Sequence, residues 1–311
     1  MRALLVDSSA PGRLSLGTAP DPEPAPHQAL IRVTATSLNY GEVAFGLDSA
    51  PDGAVLGWDA AGVVERAAAN GSGPAAGTQV VTLMPDGAWA ELRAVDTDLI
   101  GVAPDGVDPA ALATIPVAGV TALRALHRIG PLLGRTVLVT GATGGVGRFT
   151  VQLARAAGAY VIASTGAPER DGALLRRLGA HEVVGAPEEA AARPVDGVVD
   201  LVGGPRLVEA YETLGEGGTL VAVGHSAGQG EEFPFGALFG DQGRHDRSIV
   251  TFFLLGCTGL GRDLGWLAQR VAAGELDPGI TWRGGWDGAA EAVDALLGGR
   301  LHGKAVLTFD A

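Results

Sequence analysis

Cysteine, lysine and aromatic side chains are scarce in this sequence; the first scarcity excludes chemistry, and the other two say little about it. The one cysteine, Cys257, can close no internal disulfide and cannot anchor a cysteine-rich zinc site. The one lysine, Lys304, leaves arginine to supply nearly all of the 22 basic residues, against 35 acidic ones. The resulting formal charge of −13 repels phosphate backbones and anionic lipid, and no basic run offsets it. Nucleic acid and membrane surfaces are therefore poor partners. No apolar run approaches the ~20 residues of a membrane span. The run before Asp7 is too short for the hydrophobic region of a signal peptide, so a cytoplasmic location is expected. The six histidines (His27, His127, His181, His225, His245, His302) show none of the converging spacing that zinc ligands need.

Against these absences stand 311 residues, 47% of them hydrophobic, and 49 glycines. That is long for a single core, so two domains are expected. The first third reads as β-rich. Short β-branched runs at 3–6, 29–35, 61–66 and 79–83 are separated by Gly, Pro and Asp, with loops at 20–26 and 70–77. From about Pro116 apolar strands alternate with helical spacing: helix 119–129, strand 136–140, helix 146–158, strand 160–164, helix 170–179, strands 197–202 and 219–224. That alternation predicts a parallel sheet covered on both faces. The run S-I-V-T-F-F-L-L predicts a last strand over 248–255. Helices at 263–274 and 289–297 and a strand at 304–309 then return to the N-terminal part.

Residues 139–147 read V-T-G-A-T-G-G-V-G, between an apolar strand and a helix. That is the context of a dinucleotide loop. Gly141 permits the tight turn, Gly144 lets the backbone approach a pyrophosphate, and Gly147 lets the helix pack closely. Thr143, Gly145 and Val146 complete the loop, and the helix N-terminus offers its amides and dipole to the phosphates. The second strand ends Ser164-Thr165-Gly166, without the carboxylate that usually holds a ribose 2′-hydroxyl. Those hydroxyls can donate to a 2′-phosphate, and Arg170 stands just beyond to pair with one. The expected cofactor is NADPH. The alternative for Arg170, flanked by Glu169 and Asp171, is an exposed first-turn residue.

Six landmarks now line up: S-L-N-Y-G-E-V (37–43), G-W-D-A-A-G-V-V (57–64), I-P-V-A-G-V-T-A (115–122), the glycine loop, D-L-V-G (200–203) and G-K-A-V-L (303–307). In that order they resemble zinc-free medium-chain dehydrogenases/reductases of the quinone oxidoreductase (zeta-crystallin-like) group. The resemblance covers nearly the whole chain. It implies an α/β protein: a doubly wound Rossmann sheet over 116–255, and a GroES-like β-barrel catalytic domain built from 1–115 and 256–311. Zinc-dependent members carry Cys where Ser37-Leu38-Asn39 stands and Gly-His-Glu where Gly57-Trp58-Asp59 stands, so no metal is expected. Tyr-x-x-x-Lys, the pair of short-chain dehydrogenases, is also absent, since Arg300 lies four residues before Lys304.

Without a Lewis acid, alcohol oxidation is hard. Hydride transfer to a quinone or an α,β-unsaturated carbonyl is easier, because the acceptor is already electron-poor and the cofactor carries the chemistry. From the resemblance, Asn39 and Tyr40 face the nicotinamide. Asn39 bonds the cofactor or substrate carbonyl; Tyr40 donates a proton or hydrogen bond, or solvent supplies the proton instead. Thr121, Gly224, Phe253, Leu254 and Lys304 are expected at the cofactor; the alternatives are a helix-start hydroxyl for Thr121 and a strand-start residue for Lys304. Trp58, His225 and Phe253 join Tyr40 around the substrate. The strand 248–255 is expected to pair with its twin in a homodimer. Two other readings stand beside this one: a trans-acting enoyl or cyclising reductase of a biosynthetic pathway, and a non-catalytic NADPH-binding regulatory protein.

Overall fold

The structure is a computed structural model and describes residues 1–309. The chain divides into two compact units: Met1–Val120 with Cys257–Ala311, called here the host unit, and Thr121–Gly256, the inserted unit. The first boundary falls at Val120, five residues beyond the expected 115, where the helix Val120–Ile129 starts. No helix among the described residues is long and apolar enough to cross a membrane.

The host unit opens with β1 (Arg2–Val6), β2 (Leu14–Thr18), β3 (Gln28–Ser37), β4 (Asp59–Arg66), β5 (Gln79–Leu83), β6 (Leu92–Asp96) and β7 (Ile100–Val102). The inserted unit contributes β8 (Thr136–Val139), β9 (Tyr160–Ser164), β10 (Glu182–Val184), β11 (Val195–Asp200), β12 (Leu214–Ala222) and β13 (Ser248–Thr251). The chain then returns to the host with β14 (Ile280–Gly284) and β15 (Lys304–Thr308).

In the host, β1 and β2 form an antiparallel pair, and a seven-stranded sheet runs β14-β15-β3-β4-β5-β7 with β6 also on β3. The long β3 is the organiser. It pairs β4 on one side and both β6 and β15 on the other, at Gln28–Arg32 and Ala35–Ser37 respectively. Its apolar positions enter two clusters, one around Ile31, Val64 and Val80, the other around Val33, Leu38, Trp89 and Leu307. The helix Leu260–Ala272 lies against β7 so closely that a side chain on Gly101 would meet Leu264 Cβ at 2.4 Å.

In the inserted unit six parallel strands run β10-β9-β8-β11-β12-β13, the order of a Rossmann sheet. β8 is buried at every position, as a central strand covered on both faces must be. Leu138, Ile162, Val198, Leu207, Tyr211 and Leu220 fill one of its cores. Gly179, in the left-handed region at φ +117°, ends the helix Pro168–Leu178.

The last strand is shorter than the expected 248–255. β13 ends at Thr251, and Leu254–Gly256 forms a single helical turn. The cause lies in its neighbour. After Ala222, the amides of Val223 and Gly224 both turn to the Asp200 carbonyl, at 2.9 and 3.2 Å. Beyond the Phe252 amide, which bonds the Ala222 carbonyl, β12 has already turned toward β11.

Candidate active site

The glycine loop lies where β8 passes into the helix Gly145–Ala156. Gly141 takes φ +58°, a left-handed turn that a side chain would strain. Gly144 occupies the helix N-cap with extended backbone and no capping side chain. Gly147 faces back onto the turn: a Cβ there would lie 2.4 Å from the Gly141 carbonyl oxygen and 2.7 Å from Ala142 Cα. Its closeness is therefore to the turn after β8. The amides of Gly145, Val146 and Gly147 open the helix and have no acceptor within it. Thr143, Gly144, Gly145 and Val146 remain half-buried. A side-chain-free surface beside unsatisfied amides and a positive helix end fits a pyrophosphate.

One buried carboxylate braces the loop from below. Asp200, at the end of β11, accepts from Thr140 Oγ1 at 2.6 Å and from the Gly203 amide at 2.8 Å. Thr140 Oγ1 in turn accepts from the Leu201 amide at 2.9 Å. Burial raises the Asp200 carboxyl above its ordinary range, against these hydrogen bonds. The ends of β8 and β11 are thus locked at the carboxyl edge of the sheet, where ligands bind in open α/β folds. Gly224 lies in the same region, so close to Leu201 that a Cβ would meet its carbonyl oxygen at 2.4 Å. His225 is exposed and Thr121 buried.

The end of β9 differs from the sequence reading. A carboxylate does reach it, from the first turn of the next helix. Buried Asp171 accepts from Thr165 Oγ1 at 2.8 Å, and from Arg170 Nε and Nη2 at 2.7 and 3.0 Å. Thr165 has therefore spent its proton. Arg170 keeps Nη1 free of partners among the described residues and is more than half exposed. The helix turn after Pro168 folds Asp171 back over the strand end, which the spacing alone did not show.

The host unit holds a second polar centre. The segments where zinc relatives carry ligands do converge: Ser37 and Asp59 are directly opposed on β3 and β4, with Ser37 Oγ donating to Asp59 Oδ2 at 2.7 Å. Asp59 Oδ2 also accepts from Asn39 Nδ2 at 2.8 Å and from Lys304 Nζ at 3.3 Å; its Oδ1 accepts from the Val117 amide at 2.9 Å. Lys304 Nζ donates further to Asn39 Oδ1 at 2.6 Å and the Leu38 carbonyl at 2.9 Å. Glu42 Oε1 accepts from the Asn39 amide at 2.7 Å and from Asn39 Nδ2 at 3.3 Å; Oε2 accepts from the Trp58 amide at 2.8 Å. Burial, and then the Asp59 charge, push the Glu42 carboxyl up to about 8, against Lys304 and the Asn39 and Trp58 amides. Arg93 closes the centre from the other side, donating to the Gly57 and Trp58 carbonyls, and burial lowers its guanidinium to about 10.

Two expected cofactor ligands change role here. Lys304 is buried and its three ammonium donors are taken inside the host unit, so none remains for a cofactor. Both amide protons of Asn39 are likewise engaged, leaving only one Oδ1 lone pair. Tyr40 is different. It is 41% exposed, lies edge-on to Phe45 at 6.3 Å, and its phenol makes no hydrogen bond among the described residues. Trp58 is half-buried, its ring against Gly41. In the inserted unit Phe253 is 70% exposed and Leu254 half-buried. Sequence reasoning missed Glu42, Asp59, Arg93, Asp171 and Asp200 as site residues. Glu42 and Asp59 stood inside quoted landmarks, three and twenty residues from Asn39. Among the described residues no group of three or more His, Cys, Asp or Glu side chains is arranged to hold a metal ion.

Residues 25–106 match the alcohol dehydrogenase GroES-like domain family, and residues 145–258 the zinc-binding dehydrogenase family. The chain is 35% identical over 312 residues to erythronolide synthase EryA2 of Saccharopolyspora erythraea, covering 93% of this chain and only 8% of that synthase. It is 27% identical over 259 residues to acryloyl-coenzyme A reductase of Sulfurisphaera tokodaii, across 72% of this chain and 77% of that one. The quinone oxidoreductase of Thermus thermophilus, solved alone and with NADPH, superposes with a TM-score of 0.83 at 31% identity, covering 99% of this chain and all of that one. With its landmark segments, its Rossmann sheet and its full-length likeness to the Thermus enzyme, the chain belongs to the medium-chain dehydrogenases/reductases, oxidoreductases that use a nicotinamide cofactor, in their quinone oxidoreductase-like group.

Proposed function

We propose that this protein is an NADPH-dependent reductase that reduces a quinone or an α,β-unsaturated carbonyl compound without a metal ion. The observation that carries the reading is the pairing of Asp59 with the Lys304 ammonium at the convergence of Ser37 and Asp59, beside a Tyr40 phenol with no partner among the described residues. A carboxylate bonded to an ammonium and flanked by a hydroxyl is a poor donor set for zinc. An activated acceptor needs no Lewis acid.

A bound nicotinamide dinucleotide supplies the hydride. The amides of Gly145, Val146 and Gly147 hold its pyrophosphate, with Gly144 keeping the approach clear. The free Nη1 of Arg170 and the Ser164 hydroxyl receive the 2′-phosphate, with Asp171 limiting the local positive charge. In the inserted unit Thr121, Gly224, Phe253 and Leu254 serve the remainder of the cofactor, with His225 and Phe253 assigned to the acceptor; in the host unit Trp58 joins Tyr40 in that assignment. Tyr40 Oη donates its proton to the oxygen or carbon that becomes electron-rich as hydride arrives. The bare edge of β13, with Ile249 42% exposed, supports a homodimer in which this strand pairs with its twin.

A second reading, reduction of an enoyl thioester within a biosynthetic assembly, is favoured by the likeness to a stretch of a synthase and to a reductase of acryloyl-coenzyme A, itself an α,β-unsaturated thioester. One assay separates these. Loss of the reduced nicotinamide absorbance is followed with quinones, simple enones and enoyl-coenzyme A esters, NADPH against NADH. Turnover of the first two classes supports the proposal, and turnover of thioesters alone supports the second reading. A flat trace with every acceptor leaves a nucleotide-binding protein without catalysis.

A further inference from the structure

The bonds of the Asp59 network converge on the stretch that carries Tyr40. Lys304 holds the Leu38 carbonyl and Asn39 Oδ1, Asp59 holds Asn39 Nδ2, and Glu42 holds the Asn39 amide. The residue before Tyr40 is thus gripped at its backbone and at both ends of its side chain. Tyr40 itself is left exposed, with no bond from its phenol among the described residues. Both π-helical turns of the host unit are tied to the same centre. Glu42–Gly46 begins at Glu42, and Ile115–Gly119 donates its Val117 amide to Asp59. Such wide turns are rare and concentrate at functional sites. A buried ion pair is moreover a poor way to gain stability, since apolar side chains of the same volume commonly do as well. What the pair supplies is a fixed geometry, and a compact ammonium with three donors suits a carbonyl, an amide and a carboxylate in different directions.

We propose that Lys304 and Asp59 are positioning residues for Tyr40, acting through Asn39 to hold the phenol at one place and bearing. This rests on the reading of Tyr40 as the proton donor. Neither residue need touch substrate: the chain's only lysine serves as an internal strut.

The test compares three proteins: wild type, the Lys304→Met/Asp59→Asn pair that removes both charges together, and Ser37→Ala, which takes one donor from Asp59 and leaves every charge. Each is made with and without Tyr40→Phe. The readouts are kcat and KM with NADPH and an enone, the NADPH dissociation constant, and the ring ¹³C resonance of Tyr40. That resonance is assignable because the chain has three tyrosines. The expected result is a kcat lowered about 10–100-fold in the charge-pair variant and about 2–5-fold in Ser37→Ala, with NADPH affinity kept within about 2-fold. The Tyr40 resonance shifts in both, and with Tyr40→Phe present each combination has a kcat within about 2-fold of Tyr40→Phe alone, because the groups act as one. Full multiplication of the two losses, or an unmoved Tyr40 resonance, overturns the proposal. If the charge-pair variant does not fold, the Ser37→Ala arm decides by the same two criteria. If Tyr40→Phe alone leaves kcat intact, the proton-donor reading fails, while the resonance in Ser37→Ala still reports whether the network sets the ring.

Discussion

One methyl group placed at Gly147, and another at Gly144, separate the folding of the glycine loop from its capacity to take phosphate. At Gly147 an added Cβ lies 2.4 Å from the Gly141 carbonyl oxygen, 2.7 Å from Ala142 Cα and 2.8 Å from the Ala142 carbonyl carbon. All three are backbone atoms of one turn, so relief requires the helix or the turn to move. Overpacking of this kind costs about 1–3 kcal/mol. For a unit the size of the inserted one, that lowers the thermal midpoint by roughly 3–12 °C. At Gly144 the backbone is extended, φ −70° and ψ 171°, and any residue accepts it. Apart from its chain neighbours, the only atom among the described residues within 4 Å of an added Cβ is the Gly141 oxygen, at 3.4 Å, an ordinary contact. Exchanging Gly for Ala at an N-cap costs less than about 1 kcal/mol. The new methyl then stands in open space beside the first amides of the helix, where a pyrophosphate has to come within hydrogen-bond reach. Gly144→Ala therefore keeps the midpoint within about 3 °C yet binds NADPH at least about tenfold more weakly, a loss of about 1.4 kcal/mol or more. Differential scanning calorimetry and titration calorimetry with NADPH measure the two effects. Wild-type affinity in Gly144→Ala, or an unchanged midpoint in Gly147→Ala, refutes the reasoning.

Tyr40→Phe lowers kcat about 10–100-fold with NADPH affinity unchanged, as loss of a general acid does; stopped-flow hydride transfer with an enone checks it. Asp171→Asn removes the charge that opposes Arg170 and shifts the ratio of NADPH to NADH affinity about 3–10-fold toward NADPH. The shift is modest because the guanidinium is largely exposed, and it shrinks in high salt; equal changes for both coenzymes count against it. The Glu42 carboxyl, raised from 4.5 to about 8, binds its proton more tightly in the folded chain than in the unfolded one. The stability it contributes is accordingly full below 4.5 and falls as pH rises toward 8. Urea unfolding at stepped pH should show that slope reduced in Glu42→Gln, and parallel profiles would contradict the assignment. Ile249→Lys, at an already exposed position of β13, yields monomers in sedimentation and a thermal midpoint that no longer depends on protein concentration, if that edge joins two copies.

What could be read from the sequence was local. The run before Gly141, the glycine spacing and the helix after it sit between Thr136 and Ala156, so pattern and structure coincide there. The short strands β2, β6, β7, β10 and β14 are not legible in the sequence. They carry weak patterns of three to five residues and owe their conformation to neighbours such as β1, β5, β9 and β15. β13 was overestimated for the opposite reason: its apolar run continues where its partner strand has already turned away. The site shows the same divide. Ser37, Asn39, Trp58, Asp59 and Lys304 all lay in recognised landmarks, but nothing in a linear pattern says that a lysine 245 residues from an aspartate will bond it. Arg170 was judged by its place after the strand, and only the helical turn reveals that Asp171 claims it.

The place of β15 carries a consequence for how the polypeptide is made. β15 seals the open side of β3 at Ala35–Ser37 and brings the ammonium to Asp59, yet of the fifteen strands among the described residues it is the last to leave the ribosome. All six strands of the inserted unit are synthesised before it, and they need nothing from the host sheet for their own pairing. A nascent chain stalled short of residue 304 would thus carry a finished insert on a host whose two buried acids still await their cation. For that interval β3 offers a ready template for mispairing, and the arrival of β15 is what ends it.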